Sequence, residues 1–145
     1  MHKLIFIFLA LWPATAMAQP DALDVYGVWL TDTEDAHIEI TDCGDDSPCG
    51  SLIWVDPDST PTLADAQNPD PALRERPLIG LQIISGYERG KKQWAGGRIY
   101  NPEDGKTYRS TLKRLGSGTL RVRGCGGPIC RTNIWTAVSS QAERN

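Results

Sequence analysis

The stretch Trp94-Ala-Gly-Gly-Arg-Ile-Tyr-Asn-Pro-Glu-Asp-Gly-Lys-Thr-Tyr-Arg-Ser-Thr-Leu112 contains the clearest turn signal of the chain. Pro102 presets φ for the second position of a type I turn, and the Asn101 side chain can hydrogen-bond the turn backbone. Gly105 supplies the left-handed residue that lets two strands leave the turn in register. The flanking Ile, Tyr and Thr residues suit a pleated sheet. This stretch therefore predicts a β-hairpin.

A glycine pair, Gly96 and Gly97, interrupts the first arm of this hairpin. Strict alternation places Trp94 and Ile99 on opposite faces of the strand. One extra residue at the glycines puts both side chains on the same face, so we predict a β-bulge there. The missing side chains also leave space beside the sheet, to be filled by a neighbouring ring or by a ligand.

Short β-prone runs separated by turn residues occupy the rest of the chain after the N-terminal region, without sustained helical periodicity. The predicted strands are residues 25–31, 37–41, 51–55, 80–87, 93–100, 106–115, 119–123 and 129–138. Residues 56–79 contain five prolines and form one long connection through which no sheet strand can run. A helical turn is predicted after Asn68, with Pro69 as its first residue. Loops of this length are usually lids, binding loops or flexible segments.

This pattern predicts an all-β fold, an eight-stranded antiparallel up-and-down barrel. A barrel is favoured over a sandwich because closure removes the exposed edges on which an open sheet pairs with other chains. Eight strands leave an interior that is filled by side chains or is just wide enough for one small ligand. We expect residues 19–138 to form this single domain and residues 139–145 to form a polar tail.

The N-terminal residues have the pattern of a secretory signal peptide. A basic start, an apolar run over residues 4–12 and the small-x-small site Ala16-Met-Ala18 predict removal of residues 1–18. Pro13 ends the apolar run well short of the roughly twenty residues that a membrane helix needs. Gln19, rather than a cysteine that accepts lipid, follows the cleavage site. We therefore expect a periplasmic or secreted protein without a membrane span.

The four cysteines lie in two close pairs, Cys43 with Cys49 and Cys125 with Cys130. Export makes disulfides the default state. Four cysteines allow three pairings, and local pairing is favoured because it closes short loops that contain Gly and Pro. A four-cysteine zinc site fits these spacings poorly, and neither pair is the Cys-x-x-Cys of redox proteins.

Charge is divided unevenly along the chain. Residues 19–85 carry a net charge of −12, and residues 86–145 carry +8. The simpler interpretation is that both halves pair into one sheet and offset each other. The alternative is that some arginines of the second half point into one cavity and bind an anionic ligand. The candidates are Arg98, Arg109, Arg121, Arg123 and Arg131. Net acidity and export disfavour a nucleic-acid partner.

The motif Gly27-Val-Trp29 on the first strand resembles the Gly-x-Trp signature of lipocalins. In that family the Trp closes one end of the barrel, and an Arg from the last strand region packs on it. Arg131 is the nearest candidate for that Arg in this chain. The resemblance implies structural roles for Gly27 and Trp29. Trp54, Trp94 and Trp135 are expected in the core or at the wall of a pocket.

A second resemblance covers nearly all of residues 19–138 and is to an exported bacterial family, domain of unknown function 2147. The matching elements are Gly27-Val-Trp29, Cys49-Gly50, Asn68-Pro-Asp70, Arg76-Pro-Leu-Ile-Gly80, residues 94–108, Arg123-Gly124 and Trp135. The resemblance implies a lipocalin-like barrel and no particular activity. Asn101 stands where the family pattern has Asp, and both residues cap such a turn.

We predict no catalytic site, metal or cofactor. After the cleavage site the chain has one histidine, His37, which is expected on the solvated face of a strand, and it has no Gly-x-Ser-x-Gly elbow. The oxygen-bearing residues near Asp56 and Asp70 lack the spacing of a calcium loop. Glu103 and Asp104 fall in the predicted hairpin turn, where solvation is expected.

Two functions remain open. The first is binding of one small apolar or amphipathic molecule, a hydrophobic or an anionic ligand, in the barrel, with the 56–79 loop as a lid. The candidate contacts are Trp94, Arg98, Tyr100 and Tyr108. The second is a filled barrel that acts as a structural or protein-interaction module of the cell envelope, with that loop as its binding surface. The sequence specifies no protein partner.

Overall fold

The computed structural model describes residues 18–139, which form a closed antiparallel β-barrel. The strands are β1 (Gly27–Leu30), β2 (Ala36–Asp42), β3 (Pro48–Val55), β4 (Gln82–Ser85), β5 (Glu88–Arg89), β6 (Trp94–Asn101), β7 (Lys106–Gly116), β8 (Thr119–Gly126) and β9 (Ile129–Ala137). Their order is β4-β3-β2-β1-β9-β8-β7-β6, and β4 also pairs with β6, which closes a ring of eight strands. The two-residue β5 adds a short pairing to β6. The predicted eight-stranded barrel is confirmed.

The two cysteine pairs form the disulfides Cys43–Cys49 and Cys125–Cys130, as local pairing predicts. Cys49 and Cys125 lie within strands rather than in the tight loops expected from the sequence. Cys49 pairs with Thr41 across β2 and β3, and Cys125 pairs directly with Cys130 across β8 and β9. As a result β3 begins earlier, and β8 ends later, than the sequence predicts.

The hairpin turn between β6 and β7 has the predicted geometry. The Gly105 N–H donates to the Asn101 carbonyl at 2.9 Å, and Gly105 has a φ of +67°. The Asn101 Oδ1 accepts the Glu103 N–H at 3.1 Å. A further contact was not foreseen, because Gly105 is buried against the 56–79 loop and a Cβ there would overlap the Gln67 carbonyl. The turn therefore also seats the long loop.

The predicted bulge lies between Trp94 and Gly97. Trp94 pairs with Leu112 while Gly97 pairs with Ser110, a shift of one residue in the ladder. Trp94 is fully buried, and the half-buried Ile99 packs against the same core, so both face the barrel interior. The space above Gly97 is filled by the buried ring of Tyr87, since a Cβ on Gly97 would overlap three atoms of that ring. The gap beside the glycines therefore accommodates a neighbouring ring rather than a ligand.

One end of the barrel is closed by the segment that precedes β1. The Trp94 Nε1–H donates to the Leu23 carbonyl at 2.8 Å, and the Trp29 Nε1–H donates to the Val25 carbonyl at 2.9 Å. The Arg114 guanidinium lies 5.5 Å from the Trp29 ring centroid and bonds the Asp24 carboxylate at 3.1 Å. These contacts hold the chain across the barrel end.

The arginine that packs on Trp29 is therefore Arg114 of β7, and the prediction of Arg131 was wrong. The register explains the difference. Trp29 pairs with Ala137 across β1 and β9, six residues beyond Arg131 along β9. Arg131 consequently lies toward the opposite end of the barrel.

The long connection contains one turn of 3-10 helix, Pro71–Leu73. It begins two residues later than predicted, because Asp70 serves as its N-cap and accepts the Ala72 N–H at 3.0 Å. Pro71 then takes the first helical position, where a missing N–H costs nothing. Within residues 18–139, no helix has the length and apolar character needed to cross a membrane.

Buried apolar side chains fill the closed half of the barrel. They are Leu23, Val25, Trp29, Ile40, Ile84, Tyr87, Trp94, Leu112 and Leu120. Trp54 departs from the core expectation, because it is 39% exposed on the outer face. Its ring lies against that of His37, with 4.6 Å between the centroids. The His37 imidazole is therefore half covered by an indole rather than fully solvated.

We predict that Gly97→Ala destabilises the barrel by about 1–3 kcal/mol, because the new methyl group must displace the Tyr87 ring from a packed core. The free energy of unfolding in urea measures the effect. Gly118→Ala is the matched control, since a Cβ there meets nothing within 4 Å. Equal stability of the two variants would contradict the close packing of Tyr87 on Gly97.

Candidate functional site

A cavity of about 750 Å³ occupies the half of the barrel that the core leaves unfilled. Its apolar wall consists of Ala36, Ile38, Leu52, Val55, Leu78, Ile83, Ile99, Val122 and Trp135. Most of these side chains are buried and belong to the same hydrophobic cluster as the closed half. The barrel therefore has one packed half and one hollow half with a continuous apolar surface.

Glycines on β8 help to keep this half hollow. Gly124 and Gly126 both line the cavity, where alternation along β8 would otherwise place inward side chains. A Cβ on Gly124 would lie 3.6 Å from the Tyr108 Cβ, which is ordinary van der Waals contact. The Tyr108 ring lies alongside Gly126, with its Cε1 at 3.3 Å from a Cβ position there. One aromatic ring thus takes part of the space that the glycines leave.

A row of polar side chains on β9 faces the same cavity. Arg131, Asn133 and Trp135 occupy alternate positions of the strand, and all three line the cavity. Among the five arginines considered for an anionic ligand, Arg131 lines it and the other four do not. Arg123, for example, is exposed and stands between the inward positions Val122 and Gly124.

Carboxylates lie at the rim of the cavity, in the turns that join β1 to β2 and β6 to β7. They are Asp32, Asp35, Glu103 and Asp104. The Asp35 Oδ1 accepts the hydroxyl groups of Thr31 at 2.8 Å and Thr33 at 2.6 Å. Asp104 accepts the Tyr108 hydroxyl, and this bond raises the pKa of Tyr108. Two of the four rim carboxylates are therefore already engaged by hydroxyl groups.

The 56–79 loop is fastened to β6 by one fully buried carboxylate, that of Asp65. Its Oδ1 accepts the Tyr100 hydroxyl at 2.6 Å. Its Oδ2 accepts the Asn68 Nδ2 at 2.7 Å and the Arg76 Nε at 2.8 Å. We call these four side chains the loop anchor. A buried charge requires such partners, so the anchor holds the loop in place as a wall of the cavity.

The loop contributes small and polar groups to that wall. The lining residues from it are Ser59, Thr60, Pro61, Thr62, Ala64, Ala66, Gln67 and Leu78. An antiparallel β-bridge joins Ala64 to Pro77 within the loop, and the loop anchor joins the loop to β6. The loop is therefore an ordered segment that covers the cavity. The sequence identified this segment as a candidate lid, and it does lie against the cavity.

Of the four residues predicted as ligand contacts, Tyr100 and Tyr108 line the cavity, and Trp94 and Arg98 do not. Trp94 faces inward but lies in the closed half, where it is 1% exposed. Arg98 is exposed, because the residue after the bulge, Gly97, takes the inward position and alternation turns Arg98 outward. Sequence reasoning missed Asn133, although the spacing of Arg131, Asn133 and Trp135 carried the signal.

Among residues 18–139, no three His, Cys, Asp or Glu side chains converge in a way that could hold a metal ion. His37 lies against Trp54 and is not part of the cavity lining. The arrangement is that of an apolar chamber with a polar edge and a polar rim.

Residues 27–137 match the model of DUF2147, a family described as uncharacterized protein conserved in bacteria. The chain belongs to this family. A solved structure with a TM-score of 0.71 is that of protein HP1028 from the human pathogen Helicobacter pylori, described as belonging to the lipocalin family. The two are 25% identical, and the match covers 85% of this chain and 88% of that one. No curated protein matches the chain.

These comparisons confirm both resemblances inferred from the sequence. The DUF2147 match spans every strand of the barrel, from β1 to β9. The lipocalin-like neighbour accounts for the closed eight-stranded ring. The hollow half of this DUF2147 barrel therefore lies in a lipocalin-like fold.

We predict that Tyr100→Phe lowers the free energy of unfolding by about 1–3 kcal/mol, because the buried Asp65 Oδ1 loses the hydroxyl that it accepts. Burial, followed by the bond and the charge of Asp65, raises the pKa of Tyr100. The fold therefore favours the neutral phenol. The stabilisation of the fold by the Tyr100 hydroxyl is complete below the ordinary tyrosine pKa of about 10. It is lost as the pH rises through the higher pKa that Tyr100 has in the folded protein.

Urea unfolding of both proteins between neutral and strongly alkaline pH measures this contribution. The difference in stability between wild type and Tyr100→Phe should shrink at alkaline pH, since Tyr100 then becomes charged beside Asp65. A difference that stays constant with pH would show that the Tyr100 hydroxyl does not hold the loop anchor together.

Proposed function

We propose that this protein is an exported binding protein that takes one small apolar or amphipathic molecule into the open half of its barrel. The observation that carries the proposal is the cavity of about 750 Å³. Small-molecule sites are typically concave, mostly apolar and roughly 300–1,000 Å³ in volume, and they carry a few polar groups that orient the ligand. The cavity meets each of these conditions.

The apolar wall supports a ligand with a hydrocarbon part. Transfer of a methylene group from water to such a surface is worth about 0.8 kcal/mol, so a chain of several carbons would bind by burial alone. Trp135 contributes to this wall from β9, and Ile38 and Val122 contribute to it from β2 and β8. A filled barrel acting only through its surface is less well supported, because only the closed half is packed.

We also propose that the protein is exported from the cytoplasm. The two disulfides are consistent with a location outside the cytoplasm, where such bonds persist. The predicted signal peptide of residues 1–18 lies almost wholly outside the described residues, and we propose its removal and a periplasmic or secreted protein. The proposed function needs no catalytic step, and the Asp35 and Asp104 carboxylates at the rim accept hydrogen bonds from neighbouring hydroxyl groups.

We predict that Gly124→Leu reduces binding of an apolar probe by tenfold or more, since a leucine side chain would project into the cavity. Ordinary contact at the Cβ position indicates that the variant should still fold. Binding of dodecanol to the mature protein, followed by isothermal titration calorimetry and by tryptophan fluorescence, measures the effect. Tenfold in affinity corresponds to about 1.4 kcal/mol.

Thr132→Leu is the matched control, because Thr132 is exposed on the outer face of β9 beside Arg123. It should bind the probe as wild type does. Organic extraction of protein purified from its natural envelope provides an independent test of a resident ligand. If no hydrophobe is recovered and neither heat nor fluorescence responds to added hydrophobes, the binding function is refuted.

A further inference from the structure

The inward face of β9 is lined by hydrogen-bond donors that have no partner among residues 18–139. The Trp135 Nε1–H is buried and donates to no acceptor in the described chain. The side chains of Arg131 and Asn133 form no hydrogen bond or ion pair there. All three line the cavity. Since a buried N–H without a partner is costly, a wall of this kind is suited to an occupant that brings acceptors.

These three donors stand in a row from the rim to the interior. Alternate residues of a strand lie about 6.5–7 Å apart, so Arg131 and Trp135 are separated by about 13 Å of backbone. Arg131 is exposed at the rim end, Asn133 is half buried, and Trp135 is almost fully buried. Across the β8–β9 ladder Arg131 is paired with Gly124, which places no side chain beside it, and Asn133 is paired with Val122, which also lines the cavity.

Carboxylates share the rim of the cavity with Arg131. Asp32, Asp35, Glu103 and Asp104 also line the cavity, so an anionic group is not favoured at every point of the rim. Asp35 and Asp104 are engaged by hydroxyl donors, whereas the Arg131 guanidinium has no carboxylate within ion-pair distance in the described residues. Among the described residues that line the cavity Arg131 is the one basic side chain, so an anionic group is best placed against β9.

Resting on the binding function proposed above, we infer that the ligand is an elongated anionic amphipath with hydrogen-bond acceptors along one edge. Arg131 and Asn133 bind its anionic headgroup, a carboxylate or an acidic ester of comparable size. The Trp135 Nε1–H is enclosed by protein in the unliganded barrel, and it binds an uncharged acceptor further along the molecule, such as a hydroxyl or carbonyl oxygen, when the indole turns toward the cavity. The apolar side chains across the cavity from β9 contact the hydrocarbon tail of the ligand.

The headgroup assignment is tested with three probes that share one tail: dodecanoate, dodecanol and dodecyltrimethylammonium. Each is titrated into the mature protein below its micelle concentration, with calorimetry as the readout. Dodecanoate should bind about tenfold more tightly than the cation, and Arg131→Gln should weaken dodecanoate about tenfold while leaving dodecanol within about twofold. Arg123→Gln removes the same charge from the outer face and should change none of the three.

The deeper acceptor is tested with dodecanoates that carry one hydroxyl at carbon 8, 10 or 12. At least one of them should bind wild type about fivefold more tightly than dodecanoate, and this gain should vanish in Trp135→Phe, which keeps an aromatic ring and removes the N–H. The Nε1–H proton resonance of Trp135 should move downfield on binding of that probe, as a new hydrogen bond requires, and by more than it moves on binding of dodecanoate.

Failure of the inference and failure of the binding function give different results. Tight binding of dodecanol with no preference between anion and cation, or with no effect of Arg131→Gln, would preserve the binding function and overturn the headgroup assignment. If the hydroxyl probes bind wild type and Trp135→Phe with equal affinity, the proposed contact with the Trp135 Nε1–H is overturned. Absence of binding by all probes would overturn both proposals.

Discussion

Two indole N–H groups hold the segment before β1 across one end of the barrel, and the rest of the architecture depends on this closure. Trp29 and Trp94 donate to the carbonyls of Val25 and Leu23, and Arg114 covers the Trp29 ring while bonding Asp24. The indoles pack their large apolar faces into the core, and their N–H groups donate to backbone carbonyls that would otherwise be unpaired. Because this end is sealed and packed, any open volume must lie at the other end.

The hollow half of the barrel exists partly because inward positions there lack side chains. Along β8 the inward positions change from Leu120 and Val122 to Gly124 and Gly126, so the packing ends partway along the strand. The 56–79 loop covers the space without filling it, since its buried contacts are made by the loop anchor around Asp65. Apolar walls, a polar edge on β9 and an anchored cover therefore arise from separate parts of the chain.

Features that depend on neighbouring residues could be predicted from the sequence. The turn at Asn101 and Gly105, the bulge at the glycine pair and the local disulfides each follow from short-range geometry, and the structure has all of them. Long-range partners could not be predicted, because they depend on which strands become neighbours. Arg114 rather than Arg131 packs on Trp29 for this reason. The loop anchor joins positions more than thirty residues apart, Asp65 and Tyr100, with no local pattern to reveal it.

The Tyr87 ring above Gly97 belongs to the packed half of the barrel. On β6 the cavity lining includes Ile99 and stops before the next inward position, Gly97, which the Tyr87 ring covers. The boundary between the packed half and the hollow half therefore falls between two successive inward positions of one strand. The single strand β6 thus supplies both a wall of the cavity and, through Trp94, a part of the core.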